Sequence, residues 1–145
     1  MMKAFADTSV LVAAMVESHP AHGRAFPWLK RAKSKEFELV VCTHTLAELY
    51  AVLTVLPVRP RLGPDIARRL IRDNVETVAT IIELRTKDYV TVLDGQTSLG
   101  LTGGAIYDAL AAHAAQKAGV DKLLTLNESD FRRVWPDGGS RIVAL

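Results

Sequence analysis

The sequence predicts an α/β fold, with a central, mainly parallel sheet of about five strands and helices on both faces. Short segments that are apolar on both pleat faces, such as Leu39-Val40-Val41-Cys42, alternate with longer segments of helical period. A strand buried on both faces belongs inside a parallel sheet, and strand–helix alternation is how such sheets are built. Acidic residues recur where strands give way to helices, or in the first turns of those helices: Asp7, Glu48, Asp108 and Asp130. In a parallel sheet these places converge outside the carboxyl ends of the strands, where α/β folds bind ligands.

The elements follow in order. Residues 4–6 form a short buried strand ending at Asp7, and residues 9–16 a helix stopped before Pro20. Residues 21–32 make an amphipathic helix through Ala25, Trp28, Leu29 and Ala32. The strand 39–42 leads into a helix over 43–55, and Pro57 and Pro60 punctuate a loop. Pro64 suits the first turn of a helix over 65–73. The β-branched stretch 77–84 predicts a strand, and 86–99 a helix interrupted by Gly95. Thr102-Gly103-Gly104 opens a helix that runs to Lys117 and is closed by Gly119. A strand over 122–126, a helical turn over 130–135 before Pro136, and a terminal strand over 141–145 complete the chain.

Its 145 residues fit a single domain, residues 1–145, with no internal repeat or low-complexity linker. At 49% hydrophobic and 23% charged, the composition is that of a soluble globular protein. The formal charge of +2 does not by itself imply a nucleic-acid partner. The basic residues are clustered, however: Lys30, Arg31, Lys33 and Lys35 in one run, and Arg59, Arg61, Arg68, Arg69 and Arg72 in another. Either is a solvated face or a track for a phosphate backbone. Cys42 is the only cysteine, which excludes an internal disulfide framework and a cysteine-based zinc site. A reducing, cytosolic compartment is expected. Asp7 breaks any signal-peptide pattern, and no apolar run approaches the roughly 20 residues of a membrane span.

Each acid has a structural explanation. Asp7 could cap the next helix. Thr45 and Glu48 have capping-box spacing, with Glu48 bonding back to the backbone. Asp108 suits the positive end of a helix, and Asp130 could cap the last helical turn. Together they are harder to dismiss. Asp108 lies in Ala105-Ile106-Tyr107-Asp108-Ala109-Leu110-Ala111-Ala112, which reads as a helix buried nearly all round, with no Lys or Arg within a turn. An unpaired buried carboxylate is costly and tends to protonate, and a bound cation removes the problem. Hard oxygen donors suit Mg²⁺ or Mn²⁺. Other chemistries lack their signatures. His19, His22, His44 and His113 form no zinc pattern, Ser9 and His44 lack a nucleophile elbow, and Gly103-Gly104 lacks the rest of a phosphate-binding loop. A receiver domain would carry an acidic pair after its first strand, and a haloacid-dehalogenase-type phosphatase Asp-x-Asp, where this chain has Asp-Thr-Ser.

Over essentially its whole length the chain resembles a PIN domain, specifically the stand-alone toxin of a VapBC-type toxin–antitoxin pair. The resemblance rests on Asp7-Thr8-Ser9, on Leu46-Ala47-Glu48-Leu49, on Gly103-Gly104-Ala105-Ile106-Tyr107-Asp108-Ala109-Leu110, and on Leu124-Thr125-Leu126-Asn127 with Asp130-Phe131. It implies a PIN-like α/β/α sandwich and a Mg²⁺- or Mn²⁺-dependent endoribonuclease acting on tRNA or ribosomal RNA. It further implies a homodimer inhibited by a cognate VapB-type antitoxin. Carried over by position, Asp7, Glu48 and Asp108 match the family's acids. The fourth position falls to Asp130, with Asn127 as a polar neighbour, and Thr8, Ser9 and Thr125 orient ligands or water. Trp28, Leu53 and Leu56 are candidates to receive an amphipathic antitoxin segment. The alternative is a non-catalytic PIN-like RNA-binding module in which the acids serve as helix caps.

Overall fold

Alternate side chains of a strand point to opposite faces, and here the alternation sorts the core into two layers. In the computed structural model, which describes residues 1–145, the strands are β1 (Lys3–Ala6), β2 (Glu38–Cys42), β3 (Thr80–Ile82), β4 (Lys122–Thr125) and β5 (Ile142–Ala144). They form one sheet in the order β3-β2-β1-β4-β5, and every pairing is parallel. Phe5 lies opposite both Val40 and Leu123. Ala4, Ala6, Leu39, Val41 and Leu124 face one layer. Phe5, Val40, Cys42 and Leu123 face the other.

The helices are α1 (Thr8–Met15), α2 (His22–Lys33), α3 (Thr43–Val55), α4 (Pro64–Ile71), α5 (Thr86–Leu99), α6 (Ala105–Ala118) and α7 (Glu128–Val134). Those between β1 and β3 pack on the first face, through Val10, Ala25, Leu49, Leu53 and Ala67 among others. Those after β3 cover the second face, through the α6 alanines 111, 112, 114 and 115 and through Phe131 of α7. Small side chains on α6 let its backbone lie close over the larger Phe5, Val40 and Leu123. The chain changes direction across the sheet between β1 and β4, so the sheet has its topological switch point there. In open α/β sheets that crevice is where ligands bind.

The five-strand expectation holds, and the sheet is wholly rather than mainly parallel. Some boundaries differ. The helix expected over 65–73 continues beyond α4 through a π-helical stretch, Arg72–Glu76. Thr77, Val78 and Ala79 close that stretch rather than open a strand: Val78 and Ala79 N–H donate to Val75 O, and the Thr77 hydroxyl donates to Asp73 O at 3.0 Å. This shortens β3 to Thr80–Ile82. Gly95 is accommodated within α5, which ends at Gly100 in the left-handed conformation. Arg141 belongs to a 3₁₀ stretch, Pro136–Arg141, and not to the last strand. Pro27 sits inside α2.

Candidate active site

Asp7 occupies the switch point. Its peptide N–H donates to Leu124 O at 3.1 Å, tying the end of β1 to β4. Its side chain caps α1 by accepting the Val10 N–H at Oδ1 (3.0 Å). The Ser9 hydroxyl donates to the same oxygen at 2.6 Å, and the Thr125 hydroxyl donates to Oδ2 at 2.6 Å. Both hydroxyls are themselves held from β4 and its loop: Leu126 N–H donates to Ser9 Oγ (3.3 Å) and Asn127 N–H to Thr125 Oγ1 (2.8 Å). Capping and site-building are therefore one arrangement here, not alternatives. With two acceptor directions per carboxylate oxygen, Oδ1 is fully used and Oδ2 keeps one direction free. Asp7 is buried, and burial pushes its carboxyl above the ordinary aspartate range despite these donors.

Glu48 projects from α3. The helix starts at Thr43, two residues before the expected cap, and Thr45 takes the capping role, its hydroxyl accepting the Cys42 N–H at 3.2 Å. Glu48 is thereby free of any cap. Burial, followed by the charges of Asp108 and Asp7, raises its pKa to about 7, while the Thr8 hydroxyl works in the opposite direction. His44, one turn earlier on α3, brings its Nε2 to 3.6 Å from Glu48 Oε1. Asp108 lies in the first turn of α6. Its pKa is raised to about 6 by burial, Asp7 and Asp130, against a smaller opposing effect of Arg133. The segment around it is less enclosed than the sequence suggested: burial begins at Ala109, and Tyr107 is 50% exposed.

Asp7, Glu48 and Asp108 line a single cleft of about 330 Å³, together with Thr8, Ser9 and Asn127. No Lys or Arg lines it. The fourth acid is placed differently. Asp130 is in the first turn of α7 and does not line the cleft, although its charge reaches Asp108. Asn127, at the helix start, is the residue that faces the cleft there. Two further lining residues escaped sequence reasoning, His19 and Tyr107. Tyr107 stacks on His44 with ring centroids 5.2 Å apart and planes within 5°. His19 meets the acids only in space, and Tyr107 directly precedes Asp108, whose carboxylate is the stronger signal.

The donor set suits a hard divalent cation: three carboxylates share one cleft with no Lys or Arg in its lining, and Asp7 helps to raise the pKa of both Glu48 and Asp108. No three His, Cys, Asp or Glu side chains converge tightly enough to enclose an ion. A cation held here would complete its shell with water or substrate oxygen, which is the usual habit of Mg²⁺.

Of the apolar candidates for a partner surface, Leu53 is fully buried in the core, and Trp28 packs edge-on against Phe37 beneath Arg31. The exposed apolar side chains of α3 are instead Tyr50, Val52 and Val55. Among the basic residues, Arg68 pairs with Glu76 and Arg31 with Glu36, while Lys30, Lys33, Arg59, Arg61 and Arg69 are exposed.

Comparison with known proteins agrees with this architecture. The family model for the PIN domain matches residues 4–135. Ribonuclease VapC27 of Mycobacterium tuberculosis is 38% identical over 109 residues, covering 75% of this chain and 74% of that protein. Ribonuclease VapC40 of the same species is 36% identical over 119 residues, 82% of each. Among solved structures, M. tuberculosis VapC20, described as a sarcin–ricin-loop-cleaving toxin, superposes with a TM-score of 0.66 at 18% identity, over 83% of this chain and 86% of that one. VapBC2 from Rickettsia felis, bound to a DNA fragment from its promoter, gives 0.62 at 20% identity, over 91% and 92%. The acids gathered at the switch point, the all-parallel five-stranded sheet and these relatives agree: the chain belongs to the PIN-domain family, with the VapC ribonucleases among its relatives.

Proposed function

We propose that this protein is the toxin of a VapBC-type pair, an endoribonuclease that hydrolyses RNA phosphodiester bonds with Mg²⁺ or Mn²⁺. The observation that carries this reading is the single cleft in which Asp7, Glu48 and Asp108 meet without a basic side chain. The names of the VapC27 and VapC40 ribonucleases support it. In hydrolysis a water oxygen forms a bond to phosphorus, the ester P–O bond breaks, and the departing oxygen gains a proton. Asp7 is the oriented ligand, its position fixed by four polar neighbours. Asp108 would hold the cation with it, and Glu48 would share it or hold its water. With its pKa raised to about 7, Glu48 holds a proton more readily than an ordinary glutamate, and a cation held beside it would favour the ionised form. Asn127 offers an amide in the cleft lining, and Asp130 acts on Asp108 through its charge. A bound divalent cation would lower the pKa of water and offset charge on the phosphodiester.

RNA, from tRNA or ribosomal RNA, would be held through phosphates over the exposed basic residues, and binding would weaken steeply with salt. A VapB-like antitoxin would seat an amphipathic segment on the exposed Tyr50, Val52 and Val55 of α3. The α5 face bearing Tyr89, Val90 and Leu93 would serve a homodimer. No helix is long and apolar enough to cross a membrane, and a cytoplasmic protein is proposed. The open spacing of the carboxylates favours one other reading, a non-catalytic RNA-binding PIN module. The test is cleavage of a total small-RNA pool by purified protein free of partner, in Mg²⁺, Mn²⁺ or EDTA, with Asp108→Asn alongside. Discrete fragments that need metal and vanish in the variant support the nuclease. RNA binding without cleavage supports the module.

A further inference from the structure

The carboxylate cleft is continuous with a second groove. The two share His19 and Leu56, and the second, of about 510 Å³, is lined further by Ser18, Val58 and Arg59. His19 stands at their junction, in the turn between α1 and α2, and is firmly held. Its N–H donates to Val16 O and its carbonyl accepts the His22 N–H, both at 3.0 Å. Its ring Nδ1 accepts the Ala21 N–H at 3.0 Å. A ring nitrogen that accepts a backbone N–H carries no proton, so the ring is the neutral tautomer with its hydrogen on Nε2. That Nε2–H has no acceptor in the protein, and it is not among the buried atoms left without a partner. It is a fixed, uncharged donor open to the groove. Arg59 lines the second groove but not the carboxylate cleft, is exposed and pairs with no carboxylate.

These placements suit an RNA strand. A cationic side chain at the junction would pair with Asp7 or Glu48 and compete with a divalent ion. A neutral donor does not, yet still offers a hydrogen bond to a phosphate oxygen. A full positive charge becomes useful only farther along the strand, where Arg59 stands. We propose that the strand leaves the carboxylate cleft over His19, whose Nε2–H donates to the phosphate next to the scissile one, and continues to Arg59, which pairs with a more distant phosphate. His19 and Arg59 are then positioning residues that determine how RNA is seated, an assignment resting on the reading of the cleft as a ribonuclease site.

The test uses an oligoribonucleotide spanning a site that the wild-type protein cuts in a small-RNA pool. Steady-state cleavage is measured at several salt concentrations for wild type, His19→Ala, His19→Gln and Arg59→Gln, with thermal unfolding to verify each fold. His19→Ala should raise KM about two- to tenfold, the range of one hydrogen bond, with kcat within about twofold. His19→Gln, which supplies both an acceptor for Ala21 and a donor, should recover most of that loss. Arg59→Gln should raise KM and make the dependence of log(kcat/KM) on log salt shallower by about 0.7, the value for one single-strand phosphate contact. His19→Ala should leave that dependence unchanged. Wild-type KM in His19→Ala, a loss confined to kcat, or an unchanged salt dependence in Arg59→Gln would overturn the path while leaving the nuclease reading intact. Absence of any metal-dependent cleavage by wild type would overturn both.

Discussion

Removing divalent ions should make the stability of this protein fall as pH rises through neutrality, opposite to the usual behaviour of carboxylates. Glu48 moves from an ordinary value of 4.5 to about 7 on folding, and Asp108 from 3.8 to about 6. The folded state thus holds these protons more tightly than the unfolded chain. The protonated cleft carries no penalty below pH about 4. The penalty grows as pH rises past the unfolded values and is complete above the folded ones, near pH 7 to 8. Each tenfold gap in dissociation constant is worth about 1.4 kcal/mol, so the two groups together reach about 6–7 kcal/mol before screening. Both are partly open to solvent, and screening at physiological salt reduces this to about 3 kcal/mol. Asp7 adds to the effect in the same direction. Urea unfolding in EDTA at pH 5 and pH 8 should show the difference, and Mg²⁺ should restore stability at pH 8 by binding only the native state. Asp108→Asn removes one titrating group and one of the charges acting on Glu48, so its loss between pH 5 and 8 should be no more than about two thirds that of wild type. His44, whose pKa burial lowers, works in the opposite direction and is present in both proteins. A flat profile in wild type, or equal slopes in the two proteins, would refute the account of the cleft.

Three other substitutions probe the supporting structure. Thr125→Val keeps the shape of a fully buried side chain but strips the donor from Asp7 Oδ2 and the acceptor from Asn127 N–H. It should cost about 1–3 kcal/mol by chemical denaturation and weaken Mg²⁺ binding measured by calorimetry. Gly138→Ala places a methyl 2.6 Å from Ile142 Cδ1 and 3.0 Å from Trp135 Cδ2. It should destabilise by about 1–3 kcal/mol with RNA cleavage per folded molecule unchanged. Asp88 accepts the Arg85 N–H (2.8 Å), bonds His113 Nε2 (2.9 Å) and pairs with Lys117 (3.0 Å), and these partners hold its carboxyl well below the aspartate range. Its contribution is therefore present above pH about 4 and lost as pH falls further. Asp88→Asn should lower the melting temperature at pH 7 and reduce the acid-limb slope, without altering cleavage.

What the sequence made legible was whatever local chemistry dictates. Strands apolar on both faces could only be buried in a parallel sheet, and Gly119 could only close a helix. Asp7, Glu48 and Asp108 could be named because each follows a recognisable strand or helix start. The weaker features depend on partners distant in the chain. The true length of β3 turned on the Thr77 hydroxyl, which is satisfied by the carbonyl of Asp73 rather than by a neighbouring strand. Leu53 and Tyr50 are both apolar residues of one helix, and only packing against the sheet decided that the first is core and the second exposed. His19 carries no motif. Its place beside the cleft comes from a turn whose hydrogen bonds were not foreseeable from spacing.

The fourth position of the site follows the same physics. The β4–α7 loop delivers two N–H groups, of Leu126 and Asn127, onto the hydroxyls of Ser9 and Thr125, which pass that polarity on to Asp7. The loop is thereby drawn towards the first acid, and the residue it brings to the cleft wall is Asn127. Asp130, three residues later and within the first turn of α7, is carried away from the wall. An amide at the wall adds an oxygen donor without adding charge to a cleft in which Asp7 already raises the pKa of Glu48 and Asp108, while an aspartate one turn behind it keeps the field negative for a cation. On this geometry, Asp130→Asn should weaken Mg²⁺ binding only modestly and lower the pKa of Asp108, whereas Asn127→Ala should remove a contact at the cleft itself. Metal titration of the two variants, with Asp108→Asn as the severe reference, would reverse that order only if α7 turned Asp130 inward when a cation binds.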